Sequence, residues 1–286
     1  MWREVEPDGS VILRKFQGLA SPTAQQRAGS DPIICTVVDT ETTGTEVGSD
    51  RVIEIALQPV LLDPETFECL EYLDPYNALQ DPGRPIPAEA SAVNGIFDAD
   101  VKDKSIDWSY VHELLSLSDF VVAHNANFDA PMIDNELVRA KKRIPLVPWA
   151  CSLQMLSWES PARNLEVLCW QHGFWYEAHR AITDVHALTQ LLLLSGRIKE
   201  LYEKSQRPSY LLRANKSPYQ SKDWLKNQKF RWEGQVWSRT FESIEDAQKM
   251  REALSAHVYG VHGRNESTIE VVSPRQRYHL MVLGDK

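Results

Sequence analysis

The run Ile33-Ile34-Cys35-Thr36-Val37-Val38 is short, partly β-branched and bounded by Asp31-Pro32 and Thr42-Thr43-Gly44, so it reads as a core strand, and it ends in two acids, Asp39 and Glu41. Side chains alternate along a strand, which places both carboxylates on the face of Ile33, Cys35 and Val37, about 7 Å apart. Two like charges that close to a core repel each other and lose hydration. They need water or a cation between them.

From Ile33 onward, strand-like runs (Ile33–Val38, Val52–Leu61, Phe120–Ala123) alternate with helical patterns (Tyr110–Leu117, Asn127–Lys142, Leu165–His172, Ala181–Leu194), the mark of a layered α/β domain. No helical pattern joins the first two strands, which predicts antiparallel neighbours and a mixed sheet. The expected organisation is an N-terminal extension and linker over 1–32, an α/β domain over 33–204, a linker over 205–219 and a small α+β domain over 220–286. The extension begins with a hairpin from Arg3 to Phe16 around Asp8-Gly9 and continues as a polar linker from Gly18 to Ser30; no chemistry is assigned to it. In the last domain Ser221–Asn227 reads as helix, Lys229–Trp232 and Val236–Thr240 as a hairpin, and Ser243 with Asp246 opens a helix to Ala256. Thr268–Ser273 and Arg277–Leu283 read as strands completing a sheet.

No run approaches the ~18 apolar residues of a membrane span, and the start Met1-Trp2-Arg3-Glu4-Val5 lacks a signal-peptide core, so a cytoplasmic protein without a membrane partner is expected. Cys35, Cys69, Cys151 and Cys169 form no CxxC pair and read as reduced core residues, not a zinc site or a disulfide framework. The net charge of −9 is unevenly spread: residues 1–204 carry −14 and residues 205–286 carry +5. An acidic part that repels phosphates is joined to a basic part that attracts them.

Two further carboxylates sit where apolar residues belong. On the helix that starts near Asn127, Asp129 shares a face with Met132, Ile133 and Leu137; a helix N-terminal acid facing solvent is the alternative. In the helix after His179, the stripe Ala181, Val185, Leu188, Leu192 contains Asp184 at its own spacing, costly unless a cation or several donors meet it. His179 stands about one turn earlier, at the edge of the same pocket. Four acids from three elements make a hard oxygen donor set that suits two Mg2+ ions, or Mn2+ in their place, about 3.5–4 Å apart. Asp39 and Glu41 are accordingly read as metal ligands.

Asp39-x-Glu41, His124-Asn125-x-Asn127-Phe128-Asp129 and His179-x₄-Asp184 resemble, in order and context, the three motifs of the DEDDh (DnaQ-like) 3′→5′ exonucleases, the family of the proofreading subunit of bacterial replicative DNA polymerases. The resemblance covers about residues 33–196 and extends to Thr42-Thr43-Gly44, Pro85-Ile86-Pro87 before Gly95-Ile96, and Asn164-Leu165. It implies an RNase H-like fold and two-metal removal of 3′-terminal nucleotides as monophosphates. By position, Asp39, Glu41, Asp129 and Asp184 match the metal ligands and His179 the general base. Thr42, Thr43, Gly44, Asn94, Asn125 and Phe128 match the substrate side, although Phe128 reads equally as core. The family usually has His-Gly-Ile where this chain has Asn94-Gly95-Ile96, so one substrate contact is expected to differ.

In the basic part, Lys226, Lys229, Arg231, Trp232, Trp237 and Arg239 interleave cations with aromatics, and this stretch looks like a small module appended to some exonucleases of the family. Phosphate attraction plus base stacking makes a single-strand platform of it; alternatively Trp224, Phe230, Trp232 and Trp237 are simply the core of a small domain. The expected partner is a single-stranded or frayed 3′ end of DNA, with a polymerase or repair partner undefined. An RNA-trimming enzyme with the same centre and a non-catalytic end-binding module are the rivals.

Overall fold

The computed structural model describes residues 3–5, 11–19, 21–22, 31–160, 162–260 and 264–279. The chain divides into two compact units, Met1–Lys204 and Ser205–Lys286. Up to their junction the strands are β1 (Arg3–Val5), β2 (Val11–Lys15), β3 (Ile33–Thr42), β4 (Val52–Leu62), β5 (Cys69–Tyr72), β6 (Tyr76–Leu79), β7 (Phe120–Ala123), β8 (Trp149–Cys151) and β9 (Phe174–Trp175). The helices are α1 (Ala88–Asn94), α2 (Asp98–Val101), α3 (Trp108–Leu117), α4 (Ala126–Arg139), α5 (Ser152–Met155), α6 (Leu165–Gln171), α7 (Ala181–Ser195) and α8 (Ile198–Ser205).

The central sheet runs β5-β4-β3-β7-β8, with β6 also on β4. Strands β3 and β4 are antiparallel from Ile33↔Leu62 to Thr42↔Val52, whereas β3–β7 and β7–β8 are parallel, so the sheet is mixed as the sequence predicts. β3 continues four residues past Val38 because β4, buried over nearly all its length, offers a ladder partner as far as Thr42. Asp39 and Glu41 are thus fixed as strand residues, with a bulge between Glu41 and Thr42. Helix α7 lays Ala181, Val185, Leu188 and Leu192 on β3 and β4 and ends at Gly196, whose φ of 65° makes a left-handed C-cap. Helix α3 starts at Trp108, two residues before the pattern indicates, because the Asp107 carboxylate accepts the amides of Ser109 and Tyr110. No helix among the described residues is long and apolar enough to cross a membrane.

The N-terminal hairpin forms from β1 and β2, its Asp8-Gly9 tip lying outside the described residues. It does not stand alone: β2 pairs in parallel with β9 (Arg14↔Phe174, Lys15↔Trp175), making a second, three-stranded sheet. Most of the Gly18–Ser30 linker lies outside the described residues.

In the second unit the strand β10 (Ser209–Ala214) precedes a 3-10 turn (Tyr219–Ser221), α9 (Lys222–Asn227), β11 (Arg231–Glu233), β12 (Val236–Phe241), α10 (Ile244–His257) and β13 (Thr268–Val272). The sheet order is β11-β12-β10-β13. This corrects the expected linker over 205–219, since β10 is an interior strand with Leu211, Leu212 and Ala214 buried. Its six residues are hidden in the sequence by flanking Pro208, Lys216 and Pro218, which give the whole stretch a linker's composition. Ser243 caps α10 as expected, accepting the Asp246 amide at 3.1 Å. The final expected strand is also corrected: Arg277–His279 form a turn, and Leu280–Leu283 lie outside the described residues. The core joins Leu212, Leu225, Phe230, Trp237, Phe241 and Leu254. Leu212→Ala is therefore expected to destabilise this unit by about 2–5 kcal/mol in denaturant unfolding. A linker residue at that position would give less than about 0.5 kcal/mol.

Candidate metal centre and active site

Asp39, Glu41 and Asp184 each present a carboxylate oxygen within 4.8 Å of the others, an arrangement that can hold a metal ion. Asp39 and Glu41 come from the end of β3. Asp184 comes from the first turn of α7, where it accepts the Tyr176 hydroxyl at 2.7 Å and the Arg180 amide at 3.1 Å. Asp129, in the first turn of α4, is 3% exposed and accepts the Thr40 hydroxyl at 2.8 Å. Both helices thus turn their positive ends toward the acids. Asp129, predicted on an apolar face, is indeed buried with Met132, Ile133 and Leu137 and is not a solvent-facing N-terminal acid.

Packing these groups together is electrostatically costly. Desolvation first, then the charges of Asp129, Asp184, Glu41 and Glu54, pushes the Asp39 carboxyl well above the ordinary range. Desolvation, with Asp184, Glu54 and Asp129, lifts Glu41 to about 8 against a hydrogen bond from the Asn94 side chain. Asp129 rises to about 7 through desolvation, opposed by its bonds from Thr40. Asp184 is raised by desolvation despite Tyr176, Arg180 and His179. A hard divalent cation relieves that repulsion, and an all-carboxylate donor set fits it.

A fifth acid, not among the candidates from sequence, stands beside these four. Glu54 lies opposite Glu41 on β4, fully buried, and is held by the Arg180 guanidinium with two bonds of 3.0 Å and by the Ala181 amide at 3.2 Å. A lone Glu in the apolar Val52–Leu61 run carried the same signal as Asp39. Tyr176, whose hydroxyl meets Asp184, has no such signal in the sequence. Between them, exposed His179 adopts the left-handed backbone region (φ 68°), which costs a non-glycine residue about 1–2 kcal/mol and must be imposed by its neighbours.

The predicted substrate-side residues differ in burial and in the contacts they make. Asn94 is buried at the C-terminal end of α1 and bonded to Glu41. The Thr42 hydroxyl donates to the Gly44 carbonyl at 2.6 Å. Buried Thr43 joins Asp50 (2.9 Å) and Arg84 (2.9 Å), and a Cβ at Gly44 would come within 2.4 Å of the Asp50 carboxylate, so the loop admits no side chain there. Phe128 is half-buried, and Asn125 is exposed at the start of α4. In the second unit Lys226, Lys229, Arg231 and Trp232 are exposed. Trp237 is instead a core residue, covered by the helices because its face of β12 is the inner one. Arg239 is half-buried over the Phe241 ring and donates to the Gln228 carbonyl at 2.8 Å, so its role is at least partly structural.

Residues 36–192, more than half of the chain, match the RNase_T exonuclease family. The chain belongs to that family. Its motifs are those of the DEDDh, DnaQ-like members. The chain is 35% identical over 114 residues to the DNA polymerase III subunit epsilon of Treponema pallidum, a match covering 38% of this chain and 48% of that one. It is 27% identical over 173 residues to the Buchnera aphidicola epsilon subunit, covering 55% and 70% respectively. The chain thus spans about half the length of the Treponema relative. A structure titled as the zinc-bound E. coli exonuclease I complex with single-stranded DNA superposes with a TM-score of 0.52 at 16% identity, over 85% of this chain and 64% of that one, a likeness of fold.

The raised carboxyls set the pH response. Unfolded Glu41 titrates near 4.5, but folded Glu41 does so near 8, so between these values the metal-free folded state holds the extra proton. Stability contributed by that proton is lost as pH rises through this window. The melting temperature of chelator-treated protein is expected to fall from about pH 5 to about pH 8, and Mg2+ or Mn2+ to raise it more at the higher pH. A melting temperature that climbs with pH in chelator, or ignores both cations, would contradict this.

Proposed function

We propose that the chain removes nucleotides one at a time from 3′ ends of DNA, with Asp39, Glu41, Asp129 and Asp184 holding two Mg2+ ions, for which Mn2+ can substitute. The observation that carries this reading is the convergence of Asp39, Glu41 and Asp184 to within 4.8 Å, on the motif order of the family. The names of the relatives, subunits of DNA polymerases, favour DNA as the substrate.

Divalent cations bound here would activate the attacking water and neutralise charge on the phosphodiester. The chain's own residues do the rest. His179, exposed at the mouth of the site beside Asp184, accepts a proton from the attacking water. The water oxygen bonds to phosphorus, the bond from phosphorus to the 3′ oxygen of the penultimate nucleotide breaks, and that oxygen takes up a proton. The products are a nucleoside 5′-monophosphate and a strand shorter by one. The Thr42–Gly44 loop, whose shape is fixed by Asp50 and Arg84, holds the terminal nucleotide. Asn94 steadies Glu41 by a side-chain hydrogen bond. In the second unit, Lys226, Lys229, Arg231 and Trp232 form a platform for single-stranded nucleic acid.

Matched 3′-labelled and 5′-labelled DNA and RNA oligonucleotides are expected to release labelled mononucleotide at once only from the 3′-labelled DNA, and only with divalent cation. Asp39→Ala and Asp184→Ala should each remove nearly all activity, with little further loss together, because groups of one centre act as a unit. His179→Ala should lower turnover by about 10² to 10⁴ with metal dependence intact. Full turnover in chelator or in the double variant would refute the metal reading, and faster release from RNA would reassign the substrate.

For the platform, Lys226→Ala, Lys229→Ala and Arg231→Ala in the full chain should each flatten the log-affinity against log-salt slope for long single strands by about 0.7. Trp232→Ala should weaken binding by about 1–3 kcal/mol without changing the melting temperature. Unchanged slopes and affinities would remove nucleic acid as the partner of this surface.

A further inference from the structure

The segment that carries His179 and leads into α7, the helix of Asp184, is tied to the N-terminal extension. The Arg14 amide donates to the Gly173 carbonyl at 3.2 Å and the Phe16 amide to the Trp175 carbonyl at 2.8 Å, forming the β2–β9 ladder. The Phe16 and Phe174 rings lie 5.7 Å apart, and Lys15 Nζ reaches both the Glu177 carboxylate (2.7 Å) and the Trp175 ring (5.2 Å). Directly beyond this ladder, buried Tyr176 donates to Asp184, the Thr183 hydroxyl donates to the Glu177 carbonyl at 2.8 Å, and His179 takes its left-handed backbone. At the far end Arg180 is pinned to buried Glu54. The six residues from 175 to 180 are therefore held at both ends and, between them, at Tyr176 and Glu177. Without β2, the two-residue strand β9 would have no ladder partner among the described residues.

We propose that the N-terminal hairpin is a clamp for the active-site segment: β2 fixes β9, β9 fixes Tyr176, and Tyr176 with the following turn positions Asp184 and His179. Arg14, Phe16 and Tyr176 are positioning residues, and the extension is part of the catalytic apparatus, not a leader to it. The catalytic half of this proposal rests on the exonuclease reading. The structural half does not.

Two full-length variants test it. Arg14→Pro/Phe16→Pro removes both ladder donors of β2 and leaves the central sheet untouched. Tyr176→Phe removes one hydroxyl from a buried site. In the proline variant, amide exchange over residues 174–180 is expected to quicken by about tenfold or more while the β3 and β4 amides keep their protection. The single-turnover rate on a short 3′-labelled oligonucleotide should fall about 10-fold to 100-fold with KM nearly unchanged, since misplacement of a reacting group acts on the chemical step. Tyr176→Phe should lower both that rate and Mn2+ affinity measured by calorimetry. Unchanged exchange over 174–180 in the proline variant would overturn the clamp. So would a rate loss matched by lost protection in β3 and β4, which would make the hairpin a general stabiliser. A wild-type protein that hydrolyses no oligonucleotide would refute the exonuclease reading, and the exchange and Mn2+ measurements would still decide the clamp.

Discussion

Mutual repulsion among desolvated carboxylates is the constraint around which the first unit is arranged. At the end of one strand pair and two helix N-termini, burial raises the affinity of Asp39, Glu41, Asp129 and Asp184 for protons, and neighbouring acids, the buried Glu54 among them, add to this at Asp39 and Glu41. The fold answers four of them individually. Glu54 has Arg180, Asp129 has Thr40, Asp184 has Tyr176 and the amides at the start of α7, and Glu41 has Asn94. For Asp39, desolvation and four neighbouring charges all push one way. The polar bonds thus hold the acids in place without neutralising the site as a whole, which leaves its field directed at a cation.

The frame that carries these acids is itself polar. Glu136 on α4, 2% exposed, receives Arg51 through bonds of 2.6 and 3.0 Å, Arg139 at 2.8 Å and the Gln80 amide at 3.3 Å. Arg51 immediately follows Asp50, which fixes Thr43 and leaves room only for glycine at position 44. One ionic network therefore joins the helix that bears Asp129 to the loop beyond Glu41. Directional bonds of this kind hold geometry more tightly than apolar contacts of equal area, because a small displacement breaks them.

The four principal acids were legible because each is a charge at the spacing of apolar neighbours, on β3, α4 or α7. Glu54 carries the same signal, but a single Glu in the apolar run Val52–Leu61 still leaves that run reading as an ordinary strand. Tyr176 was not legible, because a buried Tyr is ordinary and only the folded chain shows its hydroxyl at Asp184. Strand β10 was concealed by the composition of its flanks, and β9, two residues long, is too short for any periodicity. Trp232 and Trp237 look alike in sequence. Their cross-strand pairing puts both on one face, but β11 is the sheet edge, so Trp232 stays 58% exposed while Trp237 is covered.

The pairing of β2 with β9 also bears on how the molecule reaches this state. Lys15 and Glu177 are 162 residues apart in the chain, so closing this ladder means closing a very long loop for a few backbone bonds, one exposed ion pair and two ring contacts. Such a small reward cannot offset the closure entropy until the central sheet has already brought Gly173–Glu177 to a fixed place. The ladder belongs late on the folding route, absent from the rate-limiting barrier. Changes in β2 should consequently leave the folding rate alone and appear in the rate of opening. The hairpin then governs how long the active-site segment stays ordered once formed, a matter of lifetime more than of assembly.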